Sequence, residues 1–329
     1  MSCALDAAIV LGAVASRRVW ALGAAVALLA VKGLAMRAAG LDTFGVAHVL
    51  WLDLVIVLPL AGAAAFAVTR RPVALVALLA VPLGVYASLV EPSRLVTERA
   101  TVAIPGAPSL RLGVIADLQF EHVGEHERDA VARLMRERPD VVLVAGDLHQ
   151  GSAETFEREL PAIRALLRGL RAPGGVYAVQ GDVESAAELR RAVEGTAVRP
   201  LVNEVVRTRG LAIGGVERTF ATRAARAAVS ELEREPGVRI LLAHRPDVAL
   251  RRPRVDLVVA GHTHGGQVQV PFLGPPFTAS EISRDIAAGG LHTLDGLRIY
   301  VTRGVGVERG QAPRLRFRAV PEVSVVTLR

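Results

Sequence analysis

The chain divides near Pro92 into two parts with different hydrophobic patterns. The first part contains three long apolar runs, at residues 19–36, 47–68 and 73–90. At a rise of about 1.5 Å per residue, each run is long enough to cross the ~30 Å hydrocarbon core of a bilayer as a helix. We therefore expect residues 1–91 to form a bundle of about three transmembrane helices. A shorter apolar run over residues 4–15 leaves a fourth short span open.

The second part, residues 92–329, alternates short apolar segments with amphipathic ones. Apolar segments of strand length lie at residues 110–116, 141–145, 176–180, 211–216, 240–243, 257–260, 297–302, 315–318 and 324–328. Segments with helical periodicity lie at residues 125–137, 153–170, 186–193, 222–234 and 247–251. Such alternation predicts one α/β domain in which helices cover sheets.

Two arginine pairs indicate how the first part would be oriented in a membrane. Arg17-Arg18 precede the first apolar run, and Arg70-Arg71 separate the second run from the third. Loops rich in arginine face the cytoplasm in most membrane proteins. With three spans, this rule places the α/β domain on the extracytoplasmic side.

Two charged residues fall inside the apolar runs. Lys32 lies near the end of the first run and Asp53 near the start of the second. The short turn between these runs makes the two helices antiparallel neighbours, so both charges would lie in the same leaflet. They would either pair with each other or reach separately to the membrane interface.

The amino-acid composition excludes several classes of function. The chain has 329 residues, of which 51% are hydrophobic, so it is not a disordered protein. Its 39 basic and 32 acidic residues give a net charge of +7. This surplus is spread over both parts and includes no basic cluster, which argues against nucleic-acid binding. Cys3 is the only cysteine, so an intramolecular disulfide and a cysteine-based zinc site are both excluded.

The candidate chemistry lies at the ends of the predicted strands. Residues of metal-ligand type follow five of these strands directly: Asp117, Asp147, Asp182, His244, and the pair His262 and His264. Sites in α/β folds assemble at the carboxyl ends of strands, because these ends meet at one edge. Any one of these residues could be an ordinary cap or turn residue. All of them together predict a metal site.

These residues stand in motifs that resemble those of the calcineurin-like metallophosphoesterases. The motifs are Asp117-Leu-Gln119, Gly146-Asp147, Gly181-Asp182-Val183-Glu184, His244-Arg-Pro-Asp247 and the heptapeptide GHTHGGQ at residues 261–267. The apolar N-terminal part makes the chain similar to the membrane-anchored bacterial branch of that family. The resemblance implies a two-sheet αββα sandwich over residues 92–329, in a protein of the bacterial cell membrane.

The resemblance also implies a dinuclear metal centre. By position, the first ion would be held by Asp117, Gln119, Asp147 and His264, and the second by Asp147, Asp182, His244 and His262. Asp147 would bridge the two ions, and a hydroxide between them would attack phosphorus. The oxygen-rich ligand set favours Mn²⁺ or Mg²⁺, with Zn²⁺ or iron as alternatives.

The chain departs from the family pattern at three positions. Gln119 replaces a histidine, which would weaken the first metal site. Asp182 replaces an asparagine, which adds a negative charge at the second. Val183 replaces the histidine that normally lies near the leaving group, so another general acid is needed. His149 is the nearest substitute in the sequence; Glu184 and His122 are weaker ones, and His149 could equally be a solvated loop residue.

The resulting functional hypothesis is a membrane-anchored metal-dependent phosphohydrolase. Its substrate would be a phosphodiester, a phosphomonoester or a pyrophosphate ester, and a lipid-linked ester is one alternative. The apolar segment at residues 271–277 would then be either a lip beside the substrate or a packed loop. A different class of function is a degenerate module that binds metal or phosphate without turnover. The sequence does not indicate an oligomeric state.

Overall fold

The computed structural model describes residues 31–218 and 220–329. Within this range the chain forms two compact units. The first contains the described residues up to Val90 together with residues 308–315. The second contains residues 91–307 and 316–329.

The first unit is helical. Its helices are α1 (Thr43–Leu52), α2 (Leu58–Thr69) and α3 (Ala80–Val85), joined or extended by tighter or wider helical turns at Asp53–Val57, Pro72–Leu79 and Tyr86–Val90. The Asp42 side chain caps α1 by accepting a hydrogen bond from the backbone N–H of Gly45. Left-handed Arg70 ends α2.

Two stretches of described helix are long and apolar enough to cross a membrane. They are Thr43–Ala64 and Leu75–Ser93. They overlap the second and third apolar runs of the sequence. Most of the run at residues 19–36, and the short run at residues 4–15, lie outside the described residues. The described residues therefore contain two candidate spans, and the expected bundle of three is not confirmed.

Lys32 and Asp53 form an ion pair within the first unit. The Lys32 Nζ lies 2.5 Å from the Asp53 Oδ2, and both side chains are largely buried. The pairing that the sequence left open is thus confirmed. In apolar surroundings each charge offsets the desolvation of the other.

The second unit is built on two mixed six-stranded sheets. The strands are β1 (Val96–Val102), β2 (Leu110–Ile115), β3 (Val141–Val144), β4 (Val176–Ala178), β5 (Val198–Pro200), β6 (Glu204–Thr208), β7 (Leu211–Gly215), β8 (Val238–Leu242), β9 (Leu257–Ala260), β10 (Gly290–Leu294), β11 (Leu297–Val301) and β12 (Glu322–Leu328). The first sheet has the order β1-β12-β2-β3-β4-β5, and the second β10-β11-β9-β8-β7-β6. Only the pairs β12–β2, β6–β7 and β10–β11 are antiparallel.

Five helices of the second unit accompany these sheets. They are α4 (Glu125–Arg136), α5 (Ala153–Leu167), α6 (Ala186–Val193), α7 (Arg223–Leu232) and the short α8 (Arg284–Ala287). Ser152, Ser185 and Thr222 start α5, α6 and α7, because each side-chain oxygen accepts a hydrogen bond from the backbone three residues later. A 3₁₀ helix of six residues, Pro246–Arg251, follows β8.

Alternation along the inner strands divides the core into layers. Val141 and Leu143 of β3 pack between the two sheets, whereas Val142 and Val144 pack under the helices of the first sheet. In β8, Ile240 faces the other sheet and the next residue faces α7. Both faces of these strands are buried, which explains their uninterrupted apolar sequences.

Most predicted elements are confirmed to within about three residues, but one strand prediction is wrong. Residues 315–318 form no strand; only Phe317 makes a single bridge, to Val268. Arg316 explains this, because its buried guanidinium donates to nearby backbone carbonyls. Four shorter or more polar strands, β1, β5, β6 and β10, were not predicted.

Candidate metal centre

The candidate ligands lie on sharp turns just beyond the strands. Asp117 follows β2, Asp147 follows β3, and His262 follows β9. These three residues have positive φ angles of 51°, 56° and 71°. Left-handed backbone is costly for residues other than glycine, although Asp and His tolerate it better than most. The turns therefore fix the direction of each side chain through the backbone.

Two groups of side chains converge at these strand ends. Asp117, Asp147 and His244 form the first group, and Asp182, His244 and His262 form the second. In each group, one ligand atom from every residue lies within 4.8 Å of the others. Asp117 and Asp147 are 0% and 2% exposed. Buried carboxylates this close together require a compensating cation.

The histidine tautomers suit metal binding. The Nδ1 of His244 donates to the carbonyl of Ala145 at 2.7 Å, so its Nε2 is the nitrogen that can bind a cation once it has lost its proton. That Nε2 is buried without a hydrogen bond and lies 3.4 Å from the Asp147 Oδ2. The Nε2 of His262 likewise donates to the carbonyl of Ala279 at 3.0 Å. Its Nδ1 is left 3.1 Å from the Asp182 Oδ2. Carbonyls that orient histidines in this way are typical of metal ligands.

The pKa values of these side chains are shifted, because the charged groups are buried and lie close together. Burial raises the pKa of Asp117 to about 7. Burial also opposes ionisation of Asp147, but the positive charge of His244 and hydrogen bonds outweigh it and hold that pKa at about 2. Burial disfavours the charged form of His244, yet Asp147, Asp117 and Asp182 raise its pKa to about 10. A proton on His244 thus supplies the positive charge that a divalent ion would supply. The donor set fits such an ion.

We predict that metal binding releases a proton from His244. Because its pKa is about 10 without metal, His244 is protonated at neutral pH and must lose the proton to bind a cation. The apparent affinity for Mn²⁺ should therefore rise about tenfold per pH unit between pH 8 and 9, and more steeply below pH 7, where Asp117 also loses a proton. Calorimetry in buffers with different ionisation enthalpies counts the released protons. A pH-independent affinity would contradict the assignment of His244 as a ligand.

The sequence between the first of these ligands and the last matches a family model. Residues 110–266 match the family model of the calcineurin-like phosphoesterases. The chain carries a calcineurin-like metallophosphoesterase domain. Every candidate ligand lies within the matched residues.

Curated relatives agree with this metallophosphoesterase domain. The chain is 27% identical over 270 residues to the uncharacterized metallophosphoesterase YkuE of Bacillus subtilis, covering 74% of this chain and 89% of YkuE. It is 27% identical over 257 residues to the phosphodiesterase YaeI of Escherichia coli, covering 71% and 87% of the two chains. An uncharacterized metallophosphoesterase of Aquifex aeolicus is 29% identical over 267 residues, covering 76% of this chain and 98% of the relative.

Glu184 organises the loop that carries Asp147. Its buried carboxylate accepts hydrogen bonds from the backbone N–H groups of Asp147, Leu148 and Gly181, at 3.1, 2.9 and 2.7 Å. The Asp147 Oδ1 in turn accepts from the N–H of Val183 at 3.0 Å. A Cβ on Gly181 would fall 2.0 Å from that oxygen, so only glycine fits there. Glu184 acts on the site through Asp147, a role that the sequence analysis missed.

Asp182 has a partner that the sequence analysis also missed. The Nε and Nη2 of Arg245 lie 3.0 and 2.7 Å from the Asp182 Oδ2. Burial opposes the ionised form of Asp182, but hydrogen bonds from His262 and Arg245 hold its pKa well below the usual range. The negative charge added by Asp182 is thus accompanied by an added positive charge. The only signal in the sequence was the position of Arg245, directly after His244.

We predict that Arg245→Gln tightens metal binding. The substitution removes a cation that contacts a candidate ligand, so Asp182 can give more of its charge to a bound ion. We expect the dissociation constant for Mn²⁺ to fall about fivefold to tenfold, measured by calorimetry. Arg254→Gln is the matched control, because Arg254 is exposed and pairs with Glu233. Weaker binding by Arg245→Gln would mean that the guanidinium chiefly orients Asp182.

Gln119 and His264 lie beside the two ligand groups and belong to neither. The Gln119 Nε2 donates to the Asp147 Oδ2 at 3.0 Å. The Nδ1 of His264 accepts from the Nη2 of Arg316 at 2.9 Å. Burial and the charge of Arg316 hold the pKa of His264 well below its ordinary value. Ligation of an ion by Gln119 and His264 stays a prediction.

His149 lies in an aromatic environment outside both groups. Its ring packs edge-on against Phe120 and Phe156, with centroid distances of 5.9 and 5.6 Å. Its Nε2 lies 3.2 Å from the carbonyl of Glu121. Burial lowers its pKa, which favours the neutral form. The role of His149 as a general acid therefore stays a prediction.

Proposed function

We propose that this chain hydrolyses phosphate esters at the candidate metal centre and is anchored to a membrane. The observation that carries this proposal is the convergence of three carboxylates and two correctly oriented imidazoles on the strand ends of a metallophosphoesterase domain. Buried carboxylates and lone-pair nitrogens together are a donor set for divalent cations. The relative named as a phosphodiesterase supports a diester as one substrate type.

In this proposal the side chains of the two groups hold the cations. Asp117, Gln119, Asp147 and His264 would hold one ion, and Asp182, His244 and His262, again with Asp147, would hold the other. Bound divalent ions, with Mn²⁺ or Mg²⁺ favoured, neutralise phosphate charge and acidify water.

The chain's own residues prepare the site for that chemistry. Glu184 fixes the Asp147 loop through the backbone N–H groups of Asp147 and Leu148, and its own loop through that of Gly181. The carbonyls of Ala145 and Ala279 fix the tautomers of His244 and His262. Val183 stands where the family has a histidine, so protonation of the leaving group falls to His149 or to water. We therefore expect a preference for pyrophosphates and aryl esters, whose leaving groups need little protonation.

The membrane part of the proposal rests on the two candidate spans and the arginine pairs. The spans at Thr43–Ala64 and Leu75–Ser93 would follow a further span over residues 19–36. With this arrangement the metallophosphoesterase domain would lie outside the cytoplasm of a bacterial cell, where lipid-linked esters would be within its reach. A reporter enzyme that works only outside the cytoplasm should therefore be active when it is fused after Arg329. Activity of a cytoplasm-restricted reporter at the same position would contradict this orientation.

The activity is tested with the full chain purified in detergent. The protein is stripped of metal and then titrated with Mn²⁺, Mg²⁺ or Zn²⁺ while hydrolysis of bis(p-nitrophenyl) phosphate is followed. We expect metal-dependent turnover. Metal binding without hydrolysis of any ester would favour the alternative function, a module that binds metal or phosphate without turnover. The departures at Gln119 and Val183 are the observations that favour that alternative.

A further inference from the structure

A large cavity adjoins the candidate metal centre within the second unit. Its volume is about 920 Å³, and His244 and Arg245 form part of its wall. The remaining wall comes from the loop after β7, the 3₁₀ helix Pro246–Arg251 and residues 276–284. Pockets for organic ligands typically occupy about 300–1,000 Å³. The cavity therefore has room for an organic group in addition to a phosphate at the metal centre.

The wall of this cavity is rich in arginine. Arg218, Arg245, Arg251 and Arg284 all line it. Arg245 is engaged by Asp182, and the Nε of Arg218 lies 4.0 Å from the same carboxylate. Arg251 and Arg284 lie on the parts of the wall built by the 3₁₀ helix and by α8.

Carboxylates line the cavity as well, and two of the three are held by the wall itself. Asp247 accepts hydrogen bonds from the Ser280 hydroxyl at 2.9 Å and from the backbone N–H of Glu281. Glu217 accepts a hydrogen bond from the Thr222 hydroxyl. Four arginines thus face three carboxylates, of which Asp247 and Glu217 serve to shape the loops. Asp182 is a fourth carboxylate beside this wall and engages Arg245 and Arg218, so the charge available to an anionic ligand comes from Arg251 and Arg284, which form no ion pair within residues 31–218 and 220–329.

The cavity also presents apolar surface to solvent. The side chains of Leu250 and Phe277 line it and are 40% and 43% exposed. Apolar side chains that border a polar wall are typical of ligand pockets. Phe277 is held close to the metal loop, because a Cβ on Gly266 would lie 2.7 Å from the Phe277 carbonyl. The apolar and cationic surfaces therefore lie within reach of one ligand.

We propose that this cavity selects phosphate esters whose organic group is apolar and carries a second negative charge. Arg251 and Arg284 would bind that second charge. This inference rests on the proposed function only for the location of the reacting phosphate. Guanidinium groups suit carboxylates and phosphates because their planar donors bind two oxygens at once. Both an anionic lipid and a nucleotide with an additional phosphate have this chemistry.

Phosphonates that cannot be hydrolysed test the proposal on the full, metal-loaded chain. Calorimetry compares hexylphosphonate with 6-carboxyhexylphosphonate, and the phosphonate analogue of thymidine 5′-phosphate with the bisphosphonate analogue of thymidine 3′,5′-bisphosphate. We expect the member with the second charge to bind about tenfold more tightly in at least one pair, because a guanidinium forms charge-assisted hydrogen bonds with a carboxylate or phosphate. Selectivity in the first pair indicates a lipid-type ligand, and selectivity in the second indicates a nucleotide.

Variants identify the residues responsible. In Arg251→Gln with Arg284→Gln, the tenfold preference should fall to about one. In Arg251→Glu with Arg284→Glu, it should reverse, which a misfolded protein would not show. Arg254→Gln removes one exposed charge outside the cavity and should keep the preference. Equal binding of both members in the native protein, or a preference that survives in the double variants, would overturn the proposal.

The outcome is separable from that of the proposed function. If the native protein shows the charge preference but hydrolyses no ester, the cavity is a binding site and the hydrolase proposal fails. If the protein hydrolyses bis(p-nitrophenyl) phosphate without any charge preference, the hydrolase proposal stands and the cavity inference fails.

Discussion

Replacement of Asp147 by asparagine should lower metal-dependent ester hydrolysis by a factor of about 10³ or more. Asp147 is buried, and its two oxygens serve different purposes. The Oδ1 accepts backbone hydrogen bonds, while the Oδ2 faces the Nε2 of His244 at 3.4 Å. Asparagine keeps the shape and one acceptor but removes the negative charge. Loss of several kcal/mol of cation binding and charge stabilisation corresponds to a decrease of this size.

Asparagine is the informative substitution at this position. The φ angle of Asp147 is 56°, and asparagine tolerates left-handed backbone about as well as aspartate does. The variant should therefore stay folded, as circular dichroism can check, while its bound metal falls in elemental analysis. Asp129→Asn is the matched control, because Asp129 lies on the surface of α4 and pairs with Arg133. Turnover within tenfold of the native value would show that Asp147 is not a ligand.

Replacement of Arg316 by methionine should lower the free energy of unfolding by about 3–5 kcal/mol. The guanidinium is fully buried and donates to the carbonyls of Gly306, His264, Arg303 and Ala319. Methionine has similar volume but no donor, so four carbonyls lose a partner. Each buried polar group left without a hydrogen bond costs about 1–3 kcal/mol, and partial relaxation reduces the total.

Guanidinium chloride unfolding of the full chain in detergent measures this effect. Arg316→Lys keeps the positive charge but cannot span the same carbonyls, so we expect an intermediate loss. Arg314→Met, two residues earlier at an exposed position, should change stability by less than about 0.5 kcal/mol. Equal stability of Arg316→Met and Arg314→Met would mean that the buried guanidinium contributes no net stability.

The fold and the place of the metal centre could be predicted because they depend on local patterns. The inner strands β3, β8 and β9 are buried on both faces, so each appears as a short apolar run. The turns after them carry polar residues at once, and the carboxyl ends of parallel strands meet at one edge. Asp147 and His244 were found in this way, and their motifs pointed to the metallophosphoesterase family.

What could not be predicted depends on contacts between distant segments. One partner of Asp182 is Arg245, 63 residues away, and the position of Arg245 directly after His244 is the only sign of this pair in the sequence. Arg316 lies in an apolar segment that reads as a strand, and its burial becomes understandable only once four carbonyls surround it. Glu184 was predicted as an acid near the leaving group because two of its three backbone donors, Asp147 and Leu148, come from another loop. The edge strand β1 was not predicted because its sequence, VTERATV, contains three polar residues in succession and no apolar run.

The candidate metal ligands come from both sheets, and this has a consequence for the order in which the domain folds. Asp147 depends on Glu184, 37 residues later, and His244 comes from the other sheet. The ligand set is therefore complete only after both sheets have formed and docked. A cation can bind there only once the native structure has formed. It should therefore slow unfolding and have little effect on the folding rate. In a domain exposed to proteases, a bound ion would protect the chain from cleavage by slowing its unfolding.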